Sequence, residues 1–159
     1  MTSTVTLTLR PAGPPDAYAF WVWANDPETR RASHNRPLIP WSEHVGWLDR
    51  VLHDEQIRAL VAEEADGCPV GWVRIQTSDR WSSAWVSYVI APEARGRGLG
   101  GAMLSLGVRA AIADRPDLML FAKVIDDNPK SLHLFRRLGW DESVAGDTIR
   151  FARRPGGVR

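Results

Sequence analysis

Apolar and polar positions recur along the first third of the chain in a way that predicts one strand followed by two helices. Alternation over Val5–Arg10 is typical of a strand with one buried face. Pro14-Pro15-Asp16 opens a helical run that continues through Trp23. Arg30–Pro40 is expected to be a loop or a short irregular helix, and Ser42 is the expected N-cap of the second helix.

Three further apolar runs, separated by turn residues, predict an antiparallel meander. These runs are Ile57–Glu63, Val70–Gln76 and Trp85–Ile90. Asp66-Gly67 and Ser78-Asp79-Arg80 are the turns between them. Connections this short join neighbouring antiparallel strands, so the three runs should form one continuous part of a sheet.

The last third of the chain predicts two more helices, a strand between them and a hairpin. A helix with few charges runs from Gly98 to about Asp114, and Leu118–Val124 is a short apolar strand. Because a helical crossover links them, this strand should lie parallel to the third meander strand. Asn128 to Leu138 is a helix capped by Asn128, and Trp140 to Phe151 is the hairpin.

This order of elements predicts an α+β protein with a mixed, mostly antiparallel central sheet and helices on both faces. A length of 159 residues suits a single domain over 1–159, with a frayed tail at about 153–159. A net charge of +1 gives no electrostatic reason for binding nucleic acid. The single cysteine, Cys68, excludes an internal disulfide and a cysteine metal cage. We therefore expect a cytoplasmic protein with no metal, nucleic-acid or membrane partner.

The stretch with the most informative chemistry joins the third meander strand to the long helix. It reads Arg95-Gly96-Arg97-Gly98-Leu99-Gly100-Gly101. Glycines allow the backbone to turn its N–H groups toward a ligand, and the helix that follows adds free N–H groups and the positive end of its dipole. Together with the two arginines, these groups predict a pyrophosphate site.

Two other interpretations of this loop remain open on the residues alone. It could be a solvated glycine turn with surface arginines. It also matches the dinucleotide pattern G-x-G-x-x-G at Gly96, Gly98 and Gly101. That pattern belongs to a parallel doubly wound sheet, whereas the preceding strands here form an antiparallel meander.

The sequence resembles the GNAT acetyltransferase family over nearly its whole length. Residues 85–100, WVSYVIAPEARGRGLG, resemble the family's central strand and coenzyme A loop. Residues 128–140, NPKSLHLFRRLGW, resemble its second signature, N-x-x-[SA]-x-x-x-[YF]-x-x-x-G-[FW]. The resemblance implies the GNAT fold and an enzyme that moves the acetyl group of acetyl-CoA to a primary amine. It also makes a homodimer a candidate assembly.

The resemblance implies which residues bind the donor. Two parallel strands, here Tyr88–Ala91 and Leu118–Val124, would diverge to admit the pantetheine arm. The expected donor-binding residues are Val89, Ile90, Ala91, Arg95, Gly96, Arg97, Gly98, Leu99, Gly100, Gly101, Asn128, Ser131 and Phe135. The N–H of Val89 or Ile90 would face the thioester carbonyl and stabilise the developing oxyanion.

One position departs from the family pattern where catalysis is concerned. Many members carry a tyrosine that protonates the leaving thiolate, and here that position is Phe135. Ser131, four residues earlier, could orient a water there, and Tyr88 is a second hydroxyl. The candidate catalytic residues are therefore Ile90, Tyr88 and Ser131. Phe135 also leaves open a non-enzymatic acyl-CoA sensor.

The resemblance places the amine acceptor on the first two helices and their loop. Candidate residues there are Trp23, Asn25, Arg31, His34, Trp41 and His44. The local pattern resembles the PseH-like enzymes that acetylate nucleotide-linked amino sugars, and in part the RimJ/RimL type. A nucleotide-linked amino sugar is the first expectation. A protein N-terminal amine, a ribosomal protein or a small amine such as a polyamine is the alternative.

Overall fold

The computed structural model describes residues 6–78 and 82–156 of the chain, which form a seven-stranded sheet and five helices. The strands are β1 (Thr8–Pro11), β2 (Ile57–Glu63), β3 (Pro69–Thr77), β4 (Ser83–Ile90), β5 (Met119–Ile125), β6 (Asp141–Ala145) and β7 (Thr148–Arg153). The helices are α1 (Ala17–Asn25), α2 (Pro27–Arg31), α3 (Trp41–His53), α4 (Leu99–Ile112) and α5 (Pro129–Arg137). Within the described ranges, no helix has the length and apolar character needed to cross a membrane.

The sheet has the order β1-β2-β3-β4-β5-β7-β6, and only the β4–β5 pair is parallel. Helices cover both faces of the sheet. Since alternate residues of β3 point to opposite sides, this strand contacts helices on both faces. Val73 packs toward Gly107 of α4. Trp72 stacks on Phe20 of α1, with 4.9 Å between ring centroids. The α+β prediction of a mixed, mostly antiparallel sheet is thus confirmed.

The parallel pair is short. β4 and β5 are in register only from Ser83 to Trp85 on β4, which leaves the last five residues of that strand without a partner on this side. The chain therefore opens a gap between two adjacent strands at the centre of the sheet. This is the divergence that the family resemblance implies.

Several sequence-based boundaries need correction. α3 begins at Trp41 with Pro40 as its N-cap, so Ser42 is not the cap. The sequence predicts a loop or short irregular helix over Arg30–Pro40, but the short helix α2 already begins at Pro27, because Asp26 accepts hydrogen bonds from the N–H groups of Glu28 and Thr29. Pro27 then occupies the first helical position, where its missing N–H costs nothing.

Parts of three predicted segments fall outside the described residues. Val5 of the first strand and Asp79-Arg80 of the second turn are among them. In the predicted tail, β7 continues through Arg153, and positions 157–159 lie beyond the described range.

Candidate active site

The loop before α4 leads into a helix start that no side chain of the described residues caps. Gly96 and Gly98 have φ values of 75° and 73°, in the left-handed region that disfavours residues with a Cβ. Gly98 is the N-cap of α4 and supplies no side-chain cap to the helix. The first N–H groups of α4 are therefore available to an anion, and the helix dipole favours negative charge at the same point.

Two hollows adjoin at this loop, with volumes of about 310 and 200 Å³. Both are lined by Tyr88, Ile90, Gly96 and Lys130. We call their union the glycine groove. It runs from Asn128 and Ser131 at the start of α5 to Gly98–Gly101 at the start of α4.

The lack of a side chain at Gly100 lets α4 lie close to Ile90 of β4 and Leu134 of α5. A Cβ there would lie 3.3 Å from Ile90 Cδ1 and 3.3 Å from Leu134 Cδ2, so a larger residue would require these two side chains to shift slightly. The same end of the groove is lined by His133 and Arg137 of α5, and Lys130 lies nearby. Sequence reasoning did not assign these three basic residues, although their i, i+3, i+7 spacing places them on one helix face.

The backbone of β4 alternates between two directions, and this decides which amide faces the gap. Ala91 N–H donates to the carbonyl of Val70 on β3 at 2.8 Å, whereas the carbonyl of Ser82 accepts from Met119 on β5. Odd-numbered residues therefore face β3, and even-numbered residues face β5. Ile90 presents its N–H and C=O to the open gap.

This alternation sharpens the sequence-based expectation for three backbone positions. The N–H groups of Val89 and Ala91 are directed at β3 and cannot also bond a ligand in the gap. The side chain of Val89, in contrast, lies beside the groove. Of the three positions, the structure leaves Ile90 as the one with a free donor.

Tyr88 and Ser131 meet in the groove, with 2.9 Å between the tyrosine hydroxyl and Ser131 Oγ. The Asn128 side chain accepts from Ser131 N–H and caps α5, which fixes the serine in the first turn. Burial raises the pKa of the Tyr88 phenol, against a smaller opposing effect of the hydrogen bond that it shares with Ser131. Tyr88 therefore holds its proton at neutral pH and can donate it.

Phe135 does not reach the groove. Its side chain is 2% exposed and stacks on Phe151, with 4.9 Å between the ring centroids. Trp140 packs edge-on against the same ring. The structure therefore gives the expected contact between Phe135 and the donor no support and places this ring in the core.

Arg95 and Arg97 do not extend freely to a ligand. Arg95 forms ion pairs with Asp26 at 2.7 Å and Glu28 at 3.3 Å, and it donates to Thr29 Oγ1. It thereby ties α2 to the edge of the groove. Arg97 pairs with Glu64 on the other side of the loop.

Glu28 forms ion pairs with both Arg95 and Lys130 and so connects the members of this ionic network. Its carboxylate accepts from Lys130 Nζ at 2.6 Å, and this bond, together with the nearby Arg95, lowers its pKa below the ordinary value. The carboxylate thus stays ionised between two cations at neutral pH. It links α2 to α5 across the groove.

A larger cavity of about 630 Å³ lies on the other face of β4, under α1 and α3. We call it the helical cavity. Thr29, Ser33 and Val89 line both this cavity and the glycine groove, so the two spaces adjoin at these residues. A molecule in one space can therefore contact a molecule in the other.

Most residues that the sequence assigned to the acceptor lie elsewhere. Trp23 is in the core, and Asn25 bonds the backbone of Ile39 through both its N and O atoms. Arg31 and His34 are exposed and lie outside the cavity lining. Trp41 is also exposed and packs edge-on against Trp21, with 5.4 Å between ring centroids.

Of that set, His44 alone lines the helical cavity. It is 2% exposed, and its Nε2 lies 2.9 Å from the carbonyl of Ala17. Since a carbonyl only accepts, Nε2 carries the hydrogen. Burial lowers the pKa of this imidazole, despite a smaller opposing effect of the Ala17 bond, so the ring is neutral at pH 7. It connects α3 to α1.

The cavity also contains residues that sequence reasoning missed. They are Glu43 and Arg50 of α3, Trp72 and Arg74 of β3, and Ser87 of β4. One signal was present in the sequence, because Arg74 interrupts the apolar run Val70–Ile75 of a central strand. A charge at such a position needs an explanation.

Comparison with known proteins is consistent with this geometry. The family model described as "Acetyltransferase (GNAT) domain" matches residues 6–141. Spermidine N(1)-acetyltransferase of Escherichia coli K12 is 26% identical over 150 residues, covering 94% of this chain and 79% of the relative. Mycothiol acetyltransferase of Tsukamurella paurometabola is 35% identical over 83 residues, which is 51% of this chain and 28% of that protein.

Solved structures show the same fold. A spermidine N-acetyltransferase from Vibrio cholerae, crystallised with CoA and spermine, superimposes with a TM-score of 0.84 at 22% identity, covering 94% of this chain and 95% of that one. A domain from Methanocaldococcus jannaschii gives a TM-score of 0.81 at 15% identity, covering 94% and 99%.

Proposed function

The chain belongs to the GNAT acetyltransferase family, whose acyl donor is acetyl-CoA, and we propose that it acetylates the primary amine of a small molecule held in the helical cavity. The single observation that carries this proposal is the position of Ile90. Its free backbone N–H lies in the gap between β4 and β5, at the strand that separates the groove from the cavity.

The glycine groove is the proposed donor site. The N–H groups of Gly96–Gly101 and the start of α4 suit a pyrophosphate, and Lys130 and Arg137 add positive charge beside them. The pantetheine arm would run along the gap and bond the backbone of Ile90 as a partner strand does. The gap between β4 and β5 fits an extended chain of this kind.

Transfer requires a neutral amine to attack the thioester carbonyl and form the amide C–N bond, while the C–S bond breaks, the thiolate leaves and the amine gives up a proton to water. The Ile90 N–H is the proposed donor to the developing oxyanion, an effect worth about 3–4 kcal/mol where such donors have been removed. Thr29, Ser33 and Val89, where the two spaces adjoin, mark the point at which the amine would reach the thioester.

Tyr88 is the proposed acid for the leaving thiolate. Its hydroxyl lies in the groove and bonds Ser131, whereas Phe135 has no hydroxyl and points into the core. A thiol pKa near ~8.5 makes the thiolate a tolerable leaving group, so the acid accelerates the step without being indispensable. Ser131 would position Tyr88 instead of acting alone.

A small amine is preferred over the nucleotide-linked amino sugar that the sequence suggested first. The relatives are named for spermidine and mycothiol, and neither name points to a sugar nucleotide. A cavity of about 630 Å³ also suits a small acceptor. A peptide acceptor and a homodimer remain predictions from the sequence.

The proposal is tested by thiol release from acetyl-CoA with a panel of spermidine, amino acids, simple amines and short peptides. We expect steady release with at least one small amine and little with peptides. Binding of acetyl-CoA by calorimetry without turnover of any small amine would overturn the proposal.

A further inference from the structure

Arg74 lies at the centre of the sheet, where a charged side chain is unusual. It is opposite Ser87 in the β3–β4 pair, and both line the helical cavity on the face occupied by Trp72. β3 is paired on both sides, so the residue cannot reach solvent past a strand edge. Its side chain is half-buried at the cavity wall.

No residue in the described ranges, 6–78 and 82–156, forms a hydrogen bond or an ion pair with the Arg74 guanidinium. Burial lowers its pKa, and no neighbouring carboxylate offsets that effect. Removing a guanidinium from water without a partner is unfavourable. A fold keeps such a group most readily where a ligand supplies the missing anion.

Two other arginines near the site, Arg30 and Arg95, already have hydrogen-bond or ion-pair partners. Arg30 also lines the cavity, but its guanidinium donates to the carbonyls of Ala24, Asn35 and Pro37. Arg95 is held by Asp26 and Glu28. Unpaired positive charge in the cavity is therefore concentrated at Arg74, with the solvent-exposed Arg50 as a second source.

The cavity's charge does not suit a polycation. Glu43 is its single carboxylate among the described lining residues, against Arg30, Arg50 and Arg74, while His44 is neutral. A polyamine would place two or more positive charges in this surrounding and would be repelled. The spermidine in the relatives' names is therefore a poor guide to this chain.

We propose that the acceptor is a small primary amine that also carries a carboxylate or phosphate group, which Arg74 binds in the helical cavity. The inference rests on the proposed function and names its substrate class. A planar guanidinium pairs with either anion through two parallel hydrogen bonds, which would hold the acceptor in one orientation. Trp47 and Trp72, which meet edge-on at 5.7 Å between centroids, provide an apolar wall for its carbon skeleton.

Matched pairs of amines test this directly, since each pair differs by one anionic group. Suitable pairs are lysine with cadaverine, phenylalanine with phenethylamine, and phosphoethanolamine with ethanolamine, with spermidine as the polycation. We expect the acidic member of at least one pair to exceed its partner in kcat/KM by about tenfold to a hundredfold, the usual range for a charged hydrogen bond. The first two pairs report on a carboxylate, and the third reports on a phosphate.

The variant Arg74→Gln should abolish that preference, mainly through a higher KM, and Arg74→Lys should restore part of it. Arg109→Gln, on α4 at the other face of the sheet, is the matched control and should retain it. Acetyl-CoA binding by calorimetry should be unchanged in all three. A preference that survives Arg74→Gln would overturn the inference.

Thermal melting separates this role from a structural one. Because Arg74 has no partner within the described residues, Arg74→Gln should melt at the same temperature as the parent or higher. A lower melting temperature with an unchanged acceptor preference would show that the arginine supports the fold.

Different results would overturn the acceptor class and the proposed function. Turnover of spermidine or cadaverine ahead of every acidic amine would overturn this inference and leave the proposed function intact. Absence of turnover with every small amine, while acetyl-CoA still binds, would overturn the proposed function and this inference with it.

Discussion

The glycine groove and the helical cavity lie on opposite faces of β4, yet they are built from different parts of the chain. The proposed donor-binding groups of the groove are mainly backbone amides, those of Gly96–Gly101 and Ile90, with side chains such as Lys130 and Arg137 beside them. The cavity is made of side chains from three helices and two strands. The groove therefore suits a ligand shared by a whole family, while the cavity can change its acceptor by exchanging side chains.

Arginines show the same contrast. Arg95 and Arg97 at the groove are neutralised by acidic partners, so they organise the loop and α2. Arg74 in the cavity has no such partner in the described part of the chain. An arginine that is paired stabilises the site, and one that is left unpaired is available to a ligand.

The largest effect should come from disturbing the groove's backbone. Gly98→Val places a β-branched residue at φ 73°, which costs about 1–2 kcal/mol or more and forces the loop to rearrange. We expect acetyl-CoA affinity to fall by at least about a hundredfold by calorimetry, since several amide bonds depend on one loop geometry.

Gly146→Val is the control, because it has φ 66° and equally open space but lies in the β6–β7 turn. It should lose a similar amount of stability and still bind acetyl-CoA. Equal loss of affinity in both variants would mean that the Gly98 effect is one of folding.

A smaller effect should follow from removing the acid in the groove. Tyr88→Phe deletes the hydroxyl that bonds Ser131 and should lower kcat by about tenfold to a hundredfold, with little change in the KM for either substrate. Steady-state kinetics measures both parameters.

Phe135→Tyr, combined with Tyr88→Phe, tests whether position 135 can supply the acid instead. Phe135 is 2% exposed and its ring packs against Phe151, Trp140 and Tyr88, so we expect an added hydroxyl to lower stability and to give no rescue when combined with Tyr88→Phe. Full activity in Tyr88→Phe would show that Tyr88 is not the acid, and rescue by Phe135→Tyr would place the acid at the family's usual position.

The position of the glycine loop and most of the fold could be predicted from sequence because they depend on local rules. Glycines, caps and alternation specified the meander, the parallel strand and the helix starts at Gly98 and Asn128. The helical cavity could not be predicted, since it is assembled from two separate segments of the chain, 20–50 and 72–89. His44 was found for its titratable ring, whereas Arg74 needed knowledge of which strand faces which helix.

The smallest expected effect is the pH-dependent contribution of His44, on the cavity wall, to the stability of the fold. Because burial lowers the pKa of His44 from 6.5, the folded state favours the neutral ring. Its contribution to stability is complete above pH 6.5 and is lost as the pH falls below that value. The carboxylates with lowered pKa, such as Asp16 beside Arg10, lose their contribution only at lower pH.

His44→Gln should therefore weaken the decline in melting temperature between about pH 7.5 and pH 5. His34→Gln, at an exposed position outside the cavity lining, should leave the decline unchanged. A parent protein whose melting temperature does not fall over that interval would contradict the assignment.

The most direct test of the whole account is an amide and side-chain NMR titration of the protein with CoA and then with an acidic amine. We predict that CoA shifts the amides of Ile90 and Gly96–Gly101, and that the amine then shifts the Arg74 Nε–H and the indole N–H signals of Trp47 and Trp72. If CoA instead shifted the indoles and left the Ile90 amide unchanged, the assignment of the two sites would be wrong.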